Sequence, residues 1–271
     1  MWTINDLVRN FFTHKDFLPA PEFLPGTLFT PLHFLVAACY LTAVILLCRH
    51  FYKKSETTRK DVFLVLWITV VVLEIVKDVW ETYNGVQFGF DWLGNLPLYP
   101  CSVYLFAMPF AIWGKGKVRF AACGYVCTLA LLGAAINFVY PANVLDRYSC
   151  ISWAGFHTLF YHSVLLLTAL LMITSGYHSY KGVTKAYQLL LPSVPMLIIS
   201  VGANFTNFLI GSDYMFFRLN SLFFVPLGEA TPDWLGVVLV YIVYLFLQAI
   251  AYLPSYIAFR KKEKKQNKVC A

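Results

Sequence analysis

The chain has 271 residues, of which 59% are hydrophobic and 18% aromatic but only 13% charged, and its mean hydropathy is +0.64. A soluble domain carries about twice that charged fraction, so the composition excludes an ordinary soluble globule and points to a polytopic membrane protein. The net charge of +7 does not imply nucleic acid as a partner, because the basic residues stand at the ends of apolar runs and form no aromatic-interleaved stripe.

In chain order, residues 1–27 lack the basic start and apolar core of a signal peptide. Ile4, Leu7, Val8, Phe11 and Phe12 instead recur at helical spacing behind Asn5 or Asp6 as a cap, which predicts a short interfacial helix. Apolar runs between polar breaks then predict spans near 31–48, 62–80, 96–113, 119–140, 151–176, 186–210 and 235–259. If the first loop is cytoplasmic, that side collects Arg49, Lys53, Lys54, Arg59 and Lys60, then Lys115, Lys117 and Arg119, then Lys181 and Lys185. The C-terminal run Arg260, Lys261, Lys262, Lys264, Lys265 and Lys268 brings the total to 16 of the 21 basic residues. The opposite side holds only Arg9, Lys15, Arg147 and Arg218, which predicts an outside N-terminus and a cytoplasmic C-terminus. The expected fold is therefore all-α: a transmembrane helical bundle of about seven spans over residues 28–260, multi-pass in the cell membrane, with a basic cytoplasmic tail at 261–271. The long external stretch 211–234, with Asp213, Arg218, Glu229 and Asp233, is a candidate lid.

Counted from the nearer span end at about 1.5 Å per residue, the polar residues inside the spans share one depth. Glu74, Lys77 and Asp78 lie on one face of the second span at i, i+3, i+4 spacing. Cys101 and Ser102 sit just below the start of the third, Asn137 near the end of the fourth, His157 and His162 in the outer half of the fifth, and Asn204 and Asn207 near the end of the sixth. Taken singly, the asparagines read as helix-helix contacts, the charged trio as a structural ion cluster, and a histidine as a hydrogen-bonded interior residue. Their shared depth predicts a functional cavity open toward the outer leaflet, because ionisable groups in lipid face a bundle interior or water.

"NLPLYPCS" (95–102) places Cys101 directly after Pro100, where Pro97 and Pro100 predict irregular first turns. A thiol becomes a nucleophile when a base stabilises its thiolate, and His157 and His162 are the histidines at matching depth. Such a pair suits acyl transfer through a thioester, with a membrane lipid or lysolipid as partner and no cofactor or metal. Two other chemistries fit the same residues. A zinc-dependent hydrolase would use His157, His162, Cys101 and Glu74, and a proton- or ion-coupled transporter or lipid-binding protein would use Glu74, Lys77 and Asp78. The cysteine pair Cys123 and Cys127 and the basic tail read as packing and as topology anchor.

"NLPLYPCS" (95–102), "LLGAAINFVYP" (131–141), "FHTLFYHSVLL" (156–166) and "NFTNFLIGSDYMFF" (204–217) occur in an order and spacing that resemble the YwaF-like integral membrane family, related to the eukaryotic transmembrane protein 164 ether-lipid acyltransferases. The resemblance implies a cysteine nucleophile at Cys101 assisted by the fifth-span histidine, which His162 matches better than His157. This chain has Tyr99 where the bacterial branch has a histidine, and Asp213, Tyr214 and Met215 where that branch has Asn-Tyr-Met.

Overall fold

The computed structural model describes residues 2–84, 95–217 and 232–269, and among them it contains helices and no strand. In chain order the helices are α1 (Ile4–Asn10), α2 (Pro31–Phe51), α3 (Glu56–Asn84), α4 (Val103–Trp113), α5 (Gly116–Tyr125), α6 (Leu131–Val139), α7 (Ala142–Leu145), α8 (Trp153–Thr174), α9 (Tyr187–Leu190), α10 (Val194–Ile210) and α11 (Asp233–Val269). One π-helical segment, Val126–Ala130, joins α5 to α6. Among the described residues five stretches are long and apolar enough to cross a membrane: 31–51, 116–145, 153–174, 187–210 and 234–264. The second and third predicted spans correspond to helices outside that set. The apolar stretch of α3 carries Glu74, Lys77 and Asp78, and α4 has only 11 residues. The third span was expected from residue 96, but α4 begins at Val103, because Pro97 and Pro100 lack the N–H groups of a regular first turn and push the residues before them out of helix. At the other end α11 runs past residue 259 and through the basic run to Val269. The candidate lid residues Arg218 and Glu229 lie outside the described residues.

The chain divides into two compact units, residues 1–97 with 131–171, and residues 98–130 with 172–271. In the first, the N-terminal segment is bonded into the helix ends. The cap of α1 is Thr3, where Asn5 or Asp6 was expected, because the Thr3 hydroxyl accepts from the Asp6 N–H at 3.2 Å while the Asp6 carboxylate takes the Thr3 N–H at 2.9 Å. Trp2, Leu18, Leu24, Trp80 and Tyr148 form a small core with Leu7 and Trp153 packed against it. Hydrogen bonds close the structure: Trp2 Nε1 to the Pro25 carbonyl (2.7 Å), Trp80 Nε1 to the Phe12 carbonyl (2.9 Å), and the Lys15 N–H to the Tyr148 hydroxyl (2.7 Å). Arg147 donates to the Pro19 and Leu24 carbonyls. Ile4 and Val8 point the other way and are among the most exposed apolar side chains of the protein.

In the second unit the turn after α8 is fixed from several directions. The Tyr177 hydroxyl donates to the Ala111 carbonyl at 3.0 Å under the Arg119 guanidinium, 4.1 Å from the ring centroid. His178 Nε2 meets the Tyr252 hydroxyl at 2.7 Å, and the Tyr180 hydroxyl donates to the Cys127 carbonyl. Cys123 and Cys127 are buried among these contacts.

Two predictions follow from these contacts. A Cβ on Gly26 would stand 2.1 Å from the Leu145 carbonyl oxygen and 2.3 Å from that of Asp146, so Gly26→Ala forces backbone apart. It is expected to lower stability by about 1–3 kcal/mol, read as a fall in thermal unfolding midpoint in lipid nanodiscs. Burial, with Arg119 nearby, pushes His178 down to about 4 from its ordinary 6.5, so the unfolded chain takes up that proton first as pH falls. The stability held by neutral His178 is complete above pH 6.5 and is lost as pH drops toward 4, with a ceiling of about 3 kcal/mol. The midpoint difference between native protein and His178→Gln is expected to narrow over that range.

Candidate functional site

In the first unit the charged residues of α3 form one ion network. Lys77 Nζ donates to Glu74 Oε1 at 2.8 Å and lies 3.1 Å from Asp78 Oδ1, while Glu74 itself is buried. The spacing i, i+3, i+4 stacks the three on one helical face, and the central ammonium offsets the repulsion of the flanking carboxylates. His157 of α8 packs beside them. The Lys77 charge is within electrostatic range, and the ring sits between Trp153 and Tyr161 at centroid distances of 6.0 and 5.6 Å.

His162, one residue beyond Tyr161, is also buried. Its Nδ1 lies 2.7 Å from the Thr158 carbonyl, one turn back on α8. A carbonyl can only accept, so Nδ1 carries the proton and the neutral ring keeps its lone pair on Nε2. That Nε2 is buried without a hydrogen-bond partner among the described residues, and the same holds for His157 Nε2. The Thr158 hydroxyl meets Asn137 Oδ1 at 3.4 Å, so Asn137 supports the stretch of α8 that orients His162. Glu74, Lys77, Asp78, Asn137, His157 and His162 thus all belong to one unit.

Tyr99, Cys101, Asn204 and Asn207 belong to the other. The Tyr99 carbonyl accepts from the Ser102 and Val103 N–H groups at 2.9 and 3.3 Å, and the Tyr104 N–H reaches the Cys101 carbonyl at 3.2 Å. These bonds make a tight turn in which Cys101 is half-buried at the entry to α4. The Tyr125 hydroxyl, from α5, donates to the Pro100 carbonyl and holds the turn from behind. Tyr125 and Tyr244 both lie within electrostatic range of the Cys101 thiol.

Asn204 has a structural position, its amide donating to the Ser200 carbonyl (3.0 Å) and to the Tyr241 hydroxyl (3.1 Å), which ties α10 to α11. Asn207 does something different. Its Oδ1 accepts from the Tyr214 N–H and the Ser212 hydroxyl, both at 2.8 Å, and its Nδ2 donates to the Tyr214 carbonyl at 3.0 Å. The short 3₁₀ turn Tyr214–Phe216 that it grips has φ of +62° at Met215 and +56° at Phe216, left-handed values that cost a non-glycine residue about 1–3 kcal/mol each. The Tyr244 hydroxyl adds a bond to the Met215 carbonyl at 3.0 Å. The rings of Tyr214 and Phe216 rest on Tyr99 at centroid distances of 5.1 and 5.4 Å, two residues before Cys101.

Sequence reasoning did not find Tyr125, Tyr244 or Thr158. The tyrosines were readable only as aromatic residues in apolar runs, and Thr158 acts through its backbone carbonyl, which has no side-chain signature. Cys150, shortly before α8, is buried with its thiol pushed up by desolvation, which disfavours a thiolate there. Among the described residues no three His, Cys, Asp or Glu side chains are grouped to hold a metal ion, so the zinc reading lacks a ligand set there.

No curated protein and no solved structure matches the chain. A sequence model of the TMEM164 family matches residues 28–258, which include the ion network, both histidines, the Cys101 turn and the Asn207 clamp. With that match covering most of its length, the chain is a membrane protein of the TMEM164 family.

Proposed function

We propose that this protein is an integral membrane lipid acyltransferase, or acyl hydrolase, that works through a thioester on Cys101 with His162 as general base. The observation that carries the reading is the buried Nε2 of His162, a lone pair kept available because Nδ1–H is committed to the Thr158 carbonyl. In the first half-reaction the imidazole takes the thiol proton and the thiolate attacks an ester carbonyl of a phospholipid. The C–S bond forms, the ester C–O bond breaks, and the leaving alkoxide receives the proton from the imidazolium. In the second, a lysolipid hydroxyl or water gives its proton to the imidazole and attacks the thioester, forming the new C–O bond and releasing the thiol. His157, next to the ion network, is the second imidazole of this reading, and Glu74, Lys77, Asp78, Tyr99, Asn137, Asn204 and Asn207 orient or bind.

The same proposal includes seven membrane crossings with an outside N-terminus, α3 and α4 counting among them. It also takes residues 1–27 as an interfacial element whose exposed Ile4, Val8 and Phe23 face lipid, and residues 261–271 as a cytoplasmic basic tail.

A second reading, ion-coupled transport, is favoured by one observation, the Glu74–Lys77–Asp78 network on an apolar helix with Glu74 buried. Purified protein in nanodiscs containing a phospholipid with a labelled acyl chain and an unlabelled lysolipid separates the two. Under the acyl-transfer reading Cys101→Ala abolishes label transfer, and His162→Ala lowers it by roughly 10²–10⁴-fold. Removing both side chains costs little more than removing Cys101 alone, since residues acting as one unit are not additive. Transfer that survives Cys101→Ala contradicts this reading, and solute flux in liposomes that survives Cys101→Ala but is lost in Asp78→Asn favours transport.

A further inference from the structure

The left-handed turn at Met215 and Phe216 is unusual because neither residue is glycine, and a chain holds such a conformation only where its surroundings over-determine it. Here the surroundings are specific. α10 ends at Ile210 and is capped by Gly211, left-handed at φ +69°, and the Asn207 side chain then reaches forward to bond both backbone groups of Tyr214 and the hydroxyl of Ser212. Tyr244 from α11 fixes the next carbonyl. Tyr214 and Met215 are fully buried, so the turn is not a surface loop that wanders into this shape.

What the turn delivers is a pair of rings. Tyr214 meets Tyr99 edge-on and Phe216 meets it at a tilt, and the Tyr99 carbonyl is the acceptor that starts the turn carrying Cys101. Tyr125, from α5, fixes the carbonyl of Pro100. The two prolines deprive this stretch of helical N–H bonds, so its geometry is set by these outside contacts.

We propose that Asn207 is a positioning residue for Cys101: by holding the strained 212–216 turn, it presses Tyr214 and Phe216 onto Tyr99 and fixes the direction in which the thiol leaves the Pro100–Cys101 turn. An asparagine suits this task because one planar amide both accepts from and donates to the backbone of the same residue, which a hydroxyl or a carboxylate alone does not. The proposal rests on Cys101 being the reactive group, but its geometry is testable whether or not acyl transfer is the reaction.

The test compares native protein with Asn207→Ala, Ser212→Ala and the double variant Asn207→Ala/Met215→Gly in nanodiscs. The readouts are the rate of Cys101 alkylation by iodoacetamide, followed by peptide mass spectrometry, and acyl transfer. Glutathione added to the same sample is the internal reference thiol, and a thermal unfolding midpoint reports folding. Asn207→Ala is expected to speed Cys101 alkylation at least about fivefold relative to that reference and to cut acyl transfer at least about tenfold, since small misplacements of a reacting group are costly. Ser212→Ala, which removes one of three clamp bonds, is expected to move both in the same direction by less and serves if Asn207→Ala does not fold. Glycine at 215 is at home at positive φ, so the double variant recovers part of both effects. Alkylation of Cys101 in Asn207→Ala within twofold of native or slower, or a double variant no closer to native than the single one, overturns the proposal. Absence of acyl transfer in the native protein would count against the functional reading instead, and the alkylation rates would still decide this one.

Discussion

The hydrogen bond from His162 Nδ1 to the Thr158 carbonyl is the contact on which the chemistry proposed here depends. An imidazole has two nitrogens, and a buried one left to itself would satisfy both. By committing the N–H to a carbonyl one helical turn back, α8 fixes the tautomer and leaves a basic lone pair with no partner among the described residues, in surroundings where an unpaired polar atom is expensive. Unsatisfied buried acceptors are uncommon enough to call for a reason, and proton transfer is a reason that needs this arrangement. His157 also has a buried Nε2 without a partner among the described residues, beside a lysine held between two carboxylates.

Around Cys101 the organising constraint is different. Pro97 and Pro100 remove the regular helical bonds that would otherwise define the start of α4, and tyrosines take over: Tyr125 through a carbonyl, Tyr214 and, with it, Phe216 through ring contacts. A backbone broken by proline needs partners from elsewhere in the protein, and the partners here come from α5 and the turn after α10. The strain at Met215 and Phe216 is the local cost of delivering them.

Much of this was legible in the sequence and some was not, for physical reasons. Long apolar runs announced helical stretches within a few residues of where α2, α8 and the α9–α10 stretch 187–210 lie, because length and hydropathy alone dictate them. The late start of α4 was foreshadowed by its prolines, though not its extent. The ion network followed from i, i+3, i+4 spacing on α3. The cap of α1 was misplaced because Asn5 and Asp6 are as good cap residues by type as Thr3, and only the reciprocal Thr3–Asp6 bonds decide between them. Asn204 and Asn207 looked alike as intramembrane asparagines three residues apart. One ties two helices together and the other clamps a turn, a distinction that resides in tertiary contacts and in backbone angles that no residue type encodes.

The most direct test of the central claim is peptide mass spectrometry of the protein stopped during turnover with a phospholipid donor. Acyl transfer through the proposed intermediate predicts a fatty acyl group on the peptide containing Cys101, removed by neutral hydroxylamine as a thioester is, and absent from Cys101→Ala. Turnover with Cys101 unmodified throughout, or an acyl group that accumulates on another residue and persists in Cys101→Ala, would contradict it.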